Sequence, residues 1–289
     1  MSSVSTADGV RLEVEASGPG TAPVTVLLSH GWTLDRRIWA PVAARLLELP
    51  RPPQVVSYDH RGHGRSDRVD ESTMTIDQLA DDLAEVVAAA APTGPLVLVG
   101  HSMGGMTLMA LAERHPEVAA RASGIALVST AAGGIAATTF GLPAGVAAVA
   151  RSVERRVHAS SRWADRSSLG SPRLLAPGLR WLLLGADPDA EARRLTTQVV
   201  CECPPRTVAG FRPTLDAHER AAALKAFAAV PVRVLVGSRD RLTPVTSSRL
   251  IAEALPEAEL TVFPGAGHML PLERPAGVAE RVAALVRGV

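Results

Sequence analysis

The chain has 289 residues, 47% of them hydrophobic, and its 30 basic and 29 acidic side chains leave a formal net charge of +1. This is enough to bury the core of one large domain, with room for an insertion, and it excludes a disordered or fibrous chain. Basic and acidic residues are interspersed, which gives no footprint for nucleic acid or an anionic membrane, and no apolar stretch reaches the length of a membrane span.

Residues 1–10 lack the basic-then-apolar pattern of a secretory leader, so a cytoplasmic location is expected. Asp8-Gly9 is a tight-turn signal before the alternating run Val10 to Ala16, and the two together predict an antiparallel hairpin. Val24 to Ser29 is a buried strand running into His30-Gly31-Trp32. Ile38 to Leu49 reads as a helix that stops before Pro50. Val55 to Tyr58 is a strand that delivers Asp59-His60-Arg61-Gly62-His63-Gly64 as a loop. Thr75 with Gln78 fits a capping box opening an Ala-rich helix to about Ala91. Leu96 to Val99 is a strand leading into Gly100-His101-Ser102-Met103-Gly104, and Met103 to Arg114 is a helix ended by His115-Pro116. Ile125 to Ser129 is a further buried strand. Strands alternating with helices predict an α/β fold, a parallel sheet covered on both faces.

From about Ala131 to Ala223 the rhythm changes to short helical stretches with single large apolar residues, including Trp163, Trp181 and Phe211. Ninety residues without a strand are too many for a loop, so residues 131–223 are expected to form a helical cap inserted into a core made of 1–130 and 224–289. The sheet then resumes. Val232 to Gly237 leads to Asp240, Ser247 to Leu255 is a helix, Leu260 to Phe263 leads to Gly267-His268, and Pro275 to Arg287 is a closing helix.

In an open parallel sheet, functional groups gather at the carboxyl ends of the strands. Ser102, Asp240 and His268 each follow a predicted strand, in the order nucleophile, acid, base. A serine hydroxyl needs an adjacent imidazole to take its proton, and a carboxylate on the other ring nitrogen fixes the tautomer and stabilises the imidazolium. Attack on a carbonyl creates an oxyanion, for which the backbone N–H groups of Trp32 and Met103 are the candidate donors. Asp187 and Asp216 are alternative acids. His60 and His63, three apart beside Asp59, could be a fragment of a metal site, yet without a third ligand a hydrogen-bonded loop is expected. His101 is expected to pack against the sheet. Cys201 and Cys203 are too close in sequence for a favourable disulfide and lack partners for zinc, so they read as structural thiols.

His30-Gly31-Trp32, Asp59 to Ser66, Gly100 to Gly105, Gly237 to Asp240 and Gly267-His268 together resemble the α/β-hydrolase fold superfamily, in particular its capped esterase and lactonase-like members. The resemblance implies an eight-stranded, mostly parallel sheet, with Ser102, Asp240 and His268 as the triad and Trp32 and Met103 as oxyanion donors. Serine at the elbow argues against the dehalogenases and epoxide hydrolases of that superfamily, which carry Asp there. Ser129-Thr130-Ala131 offers no carboxylate after the preceding strand, which favours Asp240 as the acid.

The expected activity is cofactor-independent hydrolysis of a carboxylic ester or lactone through an acyl-enzyme on Ser102, with no metal and a small apolar or mixed-polarity acyl substrate. The same scaffold also supports a carbon-carbon bond hydrolase, a thioesterase, an acyltransferase or a perhydrolase. From another class, it supports a ligand receptor that keeps the triad and does not cycle.

Overall fold

The computed structural model describes residues 3–143 and 166–289, together with 145, 146, 148, 152 and 156. Eight strands form one sheet: β1 (Ser3–Ser5), β2 (Arg11–Ser17), β3 (Thr25–Ser29), β4 (Gln54–Tyr58), β5 (Leu96–His101), β6 (Ala122–Val128), β7 (Val232–Gly237) and β8 (Glu259–Phe263). Their order is β1-β2-β4-β3-β5-β6-β7-β8. β2 runs antiparallel to β1 and β4, and every other pairing is parallel. β5 lies at the centre, with Val99 opposite Leu28 of β3 and Ala126 of β6.

Apolar runs replace alternation in the central strands because both faces of the sheet are covered. Leu27, Leu96, Leu98 and Leu127 pack into one core with Leu79 and Leu83 of α2 (Ile76–Ala90) and Leu108 and Leu111 of α3 (Met103–Arg114). Their neighbours Val26, Leu28, Val97, Val99 and Val128 point the other way. They join Val42 and Leu46 of α1 (Ala40–Leu47) and Val282 of the C-terminal helix, Pro275–Arg287. A one-residue slip in β5 would exchange these faces, so its register is fixed by both cores at once.

Local chemistry sets the element ends. The first turn closes through Thr6 N–H to Val10 O at 2.9 Å and Gly9 N–H to Thr6 O at 2.8 Å, with Gly9 at φ +84°. Thr75 Oγ1 accepts from Gln78 N–H at 3.0 Å and caps α2, while the Gln78 side chain donates to Asp82 Oδ1 at 3.4 Å. The predicted box is therefore closed on its threonine side. α3 ends at Arg114, and the short helix α4 (Pro116–Ala119) begins at the proline that stops it.

Between β6 and β7 no strand occurs among the described residues, and the elements with described bounds are helical. These are α5 (Pro172–Leu183), α6 (Ala190–Glu202), α7 (Pro205–Asp216) and two 3-10 turns, Ile135–Ala137 and Ala221–Phe227. After β7 come α8 (Val245–Ala254), α9 (Leu270–Glu273) and α10 (Pro275–Arg287). No described helix is long and apolar enough to cross a membrane.

Candidate active site

Ser102 follows the last residue of β5 and precedes the first of α3, with φ +53° and ψ −119°. This left-handed, strained backbone turns the chain from strand to helix within one residue. Hydrogen bonds on both sides hold it. Ser102 N–H donates to Val128 O at 2.9 Å, and its carbonyl accepts from Thr130 Oγ1 at 2.7 Å and Gly105 N–H at 2.9 Å. The turn also depends on absent side chains: a Cβ at Gly104 would collide with the carbonyl oxygen of Ser29 on β3.

His268 and Asp240 leave the ends of β8 and β7. His268 Nδ1 lies 2.9 Å from Asp240 Oδ2, and both side chains are buried. The remaining lone pairs of the carboxylate accept from Leu242 N–H and Thr243 N–H, each at 2.9 Å to Oδ1, and from Thr243 Oγ1 at 2.9 Å to Oδ2. Burial alone would raise the Asp240 carboxyl. The adjacent imidazole and these donors outweigh it and hold the group below the usual carboxylate range. An ionised Asp240 accepts a proton-bearing Nδ1, which leaves Nε2 of a neutral His268 as the basic nitrogen. The backbone of His268 is gripped as well: its N–H donates to Leu183 O at 2.8 Å and its carbonyl accepts from His101 Nε2 at 2.8 Å.

Ser102 and His268 line the same cavity, of about 380 Å³. No hydrogen bond joins Ser102 Oγ to the imidazole, so proton transfer between them requires that contact to form as a substrate binds. The walls are Trp32, Thr33 and Leu34 from the β3 loop, Phe140 and Leu142, and Leu179, Trp181, Leu182 and Leu183 of α5. Val200, Arg212, Leu242 and Met269 complete them. Arg212 is the one charged side chain among the described lining residues apart from the titratable His268. It pairs with Asp216 at 3.1 Å and lies 5.8 Å from the Trp32 ring centroid.

The β3 loop is shaped by buried, neutral imidazoles. His60 N–H donates to His30 Nε2 at 2.9 Å, Thr33 N–H to His63 Nε2 at 3.3 Å, and His63 Nδ1 contacts Arg61 O at 3.0 Å. Burial pushes His63 down to about 3 and His60 well below its usual range. His60 and His63 therefore act as hydrogen-bonded struts, and no group of three or more potential metal ligands occurs among the described residues. The loop brings Trp32 to the cavity wall. Met103 N–H is the first donor of α3, and neither it nor the Trp32 N–H has a protein acceptor among the described residues.

Asp216 is engaged by Arg212, and neither Asp216 nor Asp187 hydrogen-bonds His268. His101, expected to pack against the sheet, is itself the last residue of β5; its ring lies 4.8 Å from that of His268 and its Nε2 bonds the His268 carbonyl, and burial first, then the nearby His268, lower it to about 3, so it stays neutral. Cys201 and Cys203 are free and buried, and burial pushes the Cys203 thiol up to about 12. Of the three large aromatics expected in the cap, Trp181 lines the cavity. Phe211 is fully buried, with its ring 5.2 Å from His63, and belongs to the core. Trp163 lies outside the described residues. The sequence gives no sign of the parts played by Thr130 and Thr243, because a threonine two residues beyond β6 or six beyond β7 signals nothing until the partner loop is in place.

A mostly parallel eight-stranded sheet with a serine in a strained turn after its central strand, and a buried Asp–His pair at two neighbouring strand ends, defines a hydrolase of the α/β type. The alpha/beta hydrolase family model matches residues 26–281, and the chain belongs to that family. It is 30% identical over 278 residues, 93% of this chain and 92% of the other, to a Caulobacter sp. (strain K31) protein provisionally named carbamate hydrolase RutD. It is 30% identical over 266 residues, 90% of this chain and 86% of the other, to a monoacylglycerol lipase of Mycolicibacterium smegmatis. Among solved structures it is similar to a thermophilic esterase from Thermogutta terrifontis, with a TM-score of 0.75 and 27% identity over 99% of this chain and 97% of that one. The protein is a hydrolytic enzyme.

Proposed function

We propose that the protein hydrolyses a carboxylic ester or lactone by way of an acyl-enzyme on Ser102. The observation that carries this reading is the juxtaposition of the strained Ser102 with the His268–Asp240 pair on one cavity. His268 Nε2 takes the Ser102 proton as Oγ attacks the carbonyl, and Asp240 stabilises the imidazolium that forms. The Trp32 and Met103 amides receive the developing oxyanion, with the positive end of α3 adding to the favourable potential. His268 then returns the proton to the leaving alkoxide. It next draws a proton from water as the water oxygen attacks the acyl carbon, and passes that proton to Ser102 Oγ as the acyl–oxygen bond breaks, which restores the serine and the neutral imidazole.

The apolar walls favour an acyl or alkyl part without charge, and no cofactor is needed for any step. Residues 131–223 serve as a cap, with α5 and α6 supplying walls that meet the substrate beyond its carbonyl. The ester chemistry of the lipase and esterase relatives supports this reading. A carbamate, to which the name of another relative points, would be attacked by the same groups.

The test is a panel of p-nitrophenyl esters, aliphatic lactones and carbamates, each run with the wild type and with Ser102→Ala. The expected outcome is ester or lactone turnover that falls by several orders of magnitude in the variant. A variant keeping more than about a tenth of wild-type kcat/KM would contradict the serine mechanism. Multiple turnovers by the wild type would separate an enzyme from a receptor that reacts once.

A further inference from the structure

We infer that Glu273 is a positioning residue that clamps the end of cap helix α5 to the loop carrying His268, so that the catalytic base and one wall of the substrate cavity are held as a unit. The inference rests on the reading of His268 as the general base.

Glu273 ends the four-residue helix α9, and its side chain turns inward beneath the His268 loop. Its Oε2 accepts from Gly185 N–H at 2.7 Å and Gly267 N–H at 3.1 Å, and its Oε1 accepts from Gly267 N–H at 3.0 Å and Met269 N–H at 3.2 Å. Gly185 lies two residues beyond α5, while Gly267 and Met269 flank His268. One carboxylate therefore joins two chain segments that are about 80 residues apart. Among the described residues no basic side chain pairs with it: the neighbouring Arg274 donates instead to the Glu273 carbonyl at 2.7 Å and to Pro264 O at 3.2 Å. A buried carboxylate satisfied by amides alone is an expensive way to fill space, and an apolar residue would fill it at lower cost. What an apolar residue lacks is an acceptor for three amides at once.

The seam continues on either side of the carboxylate. Ala186 N–H donates to Gly265 O at 2.8 Å, and His268 N–H and Met269 N–H converge on Leu183 O at 2.8 and 3.3 Å. A Cβ at Gly185 would collide with the Gly265 carbonyl, so the two backbones are in direct contact. Leu183 and Met269 also line the substrate cavity. A substrate pressing on the α5 wall thus presses on the segment that holds the His268 peptide.

The test is Glu273→Gln, which keeps the shape but can accept through only one of its two terminal atoms. Its NH2 must then face either the Gly185 or the Met269 N–H, so at least one of the three amides loses its acceptor and meets a donor instead. The expected result is a folded enzyme whose kcat falls about tenfold or more with KM within about threefold, and whose rate of inactivation by a fluorophosphonate falls in parallel. Gly185→Ala strains the same seam from the cap side and should lower kcat similarly. The double variant should be no worse than the poorer single one, as expected for residues acting as one unit. An unchanged kcat in Glu273→Gln, a change in KM alone, or multiplicative losses in the double variant would overturn the inference.

Hydrogen exchange on the wild type poses the same question without a substitution. The Gly185, Gly267 and Met269 amides should exchange at similar slow rates, and a Gly185 amide about a hundredfold faster than the other two would contradict the clamp. If Ser102→Ala is inactive while Glu273→Gln behaves as wild type, this inference alone fails. If Ser102→Ala stays active, the hydrolytic reading beneath it fails.

Discussion

Ser102 occupies a backbone region that costs a residue with a Cβ about 1 to 3 kcal/mol, and that strain is offset by the hydrogen bonds from Thr130 and Gly105 and the one to Val128. Asp240 is held in a comparable way. Three donors from Leu242 and Thr243 fix the carboxylate, and the fourth direction is left for His268. On the proposed mechanism, Asp240→Asn should therefore lower kcat by roughly three to four orders of magnitude, because an amide favours the wrong tautomer and cannot stabilise the imidazolium. Thr243→Val removes one donor and leaves the carboxylate in place, so kcat/KM should fall by about tenfold with little change in Tm. Steady-state kinetics on one good ester check both. A Thr243→Val variant that lost as much as Asp240→Asn would mean that the threonine, lying 3.3 Å from His268 Nδ1, is the true partner of the imidazole.

The strands, the elbow helix and the closing helix were legible in the sequence because each is a local pattern: an apolar run bounded by Gly or Pro, a cap, a proline stop. Leu96 to Val99 announces a two-sided strand, and Gly100 and Gly104 announce a close approach, without any knowledge of what approaches. Contacts between distant segments were not legible. Nothing in the neighbourhood of Glu273 points to Gly185, and nothing distinguishes Trp181 from Phe211 except which way α5 and α7 turn once packed. Replacing the two aromatics by Ala separates wall from core. Trp181→Ala should change the ranking of esters by chain length with a small loss of stability. Phe211→Ala should leave the ranking unchanged and destabilise the fold by about 3 to 5 kcal/mol. Chain-length kinetics and urea melts on both variants are the check, and a Phe211→Ala variant that reorders the substrates would place that ring at the cavity. Gly104→Ala meets backbone with no room to yield, and should unfold at lower urea than Trp181→Ala or Thr243→Val.

Taken as a whole, the molecule balances its charge and buries several imidazoles in neutral form. His63 and His101 are pushed by burial to about 3 and His218 to about 4, and His30 and His60 are lowered by the same cause. The sign follows from proton uptake. Below about pH 6.5 the unfolded chain protonates these groups more readily than the folded one does, so stability is lost as the pH falls, each group contributing at most about 1.4 kcal/mol per pH unit until its own lowered folded value is reached. Asp240, whose carboxyl is lowered in the fold, adds stability that is present above its ordinary value of 3.8 and is lost only below it. Urea midpoints should thus drop steeply between pH 7 and pH 5; a flat profile there would mean that the imidazoles are not buried neutral.

Covalent labelling decides whether Ser102 is the nucleophile that His268 activates. Wild-type enzyme treated with a fluorophosphonate and digested should carry one adduct, on the peptide containing Ser102, and His268→Asn should label slower by about three orders of magnitude or more. An adduct on another residue, or labelling of His268→Asn at the wild-type rate, would contradict that assignment.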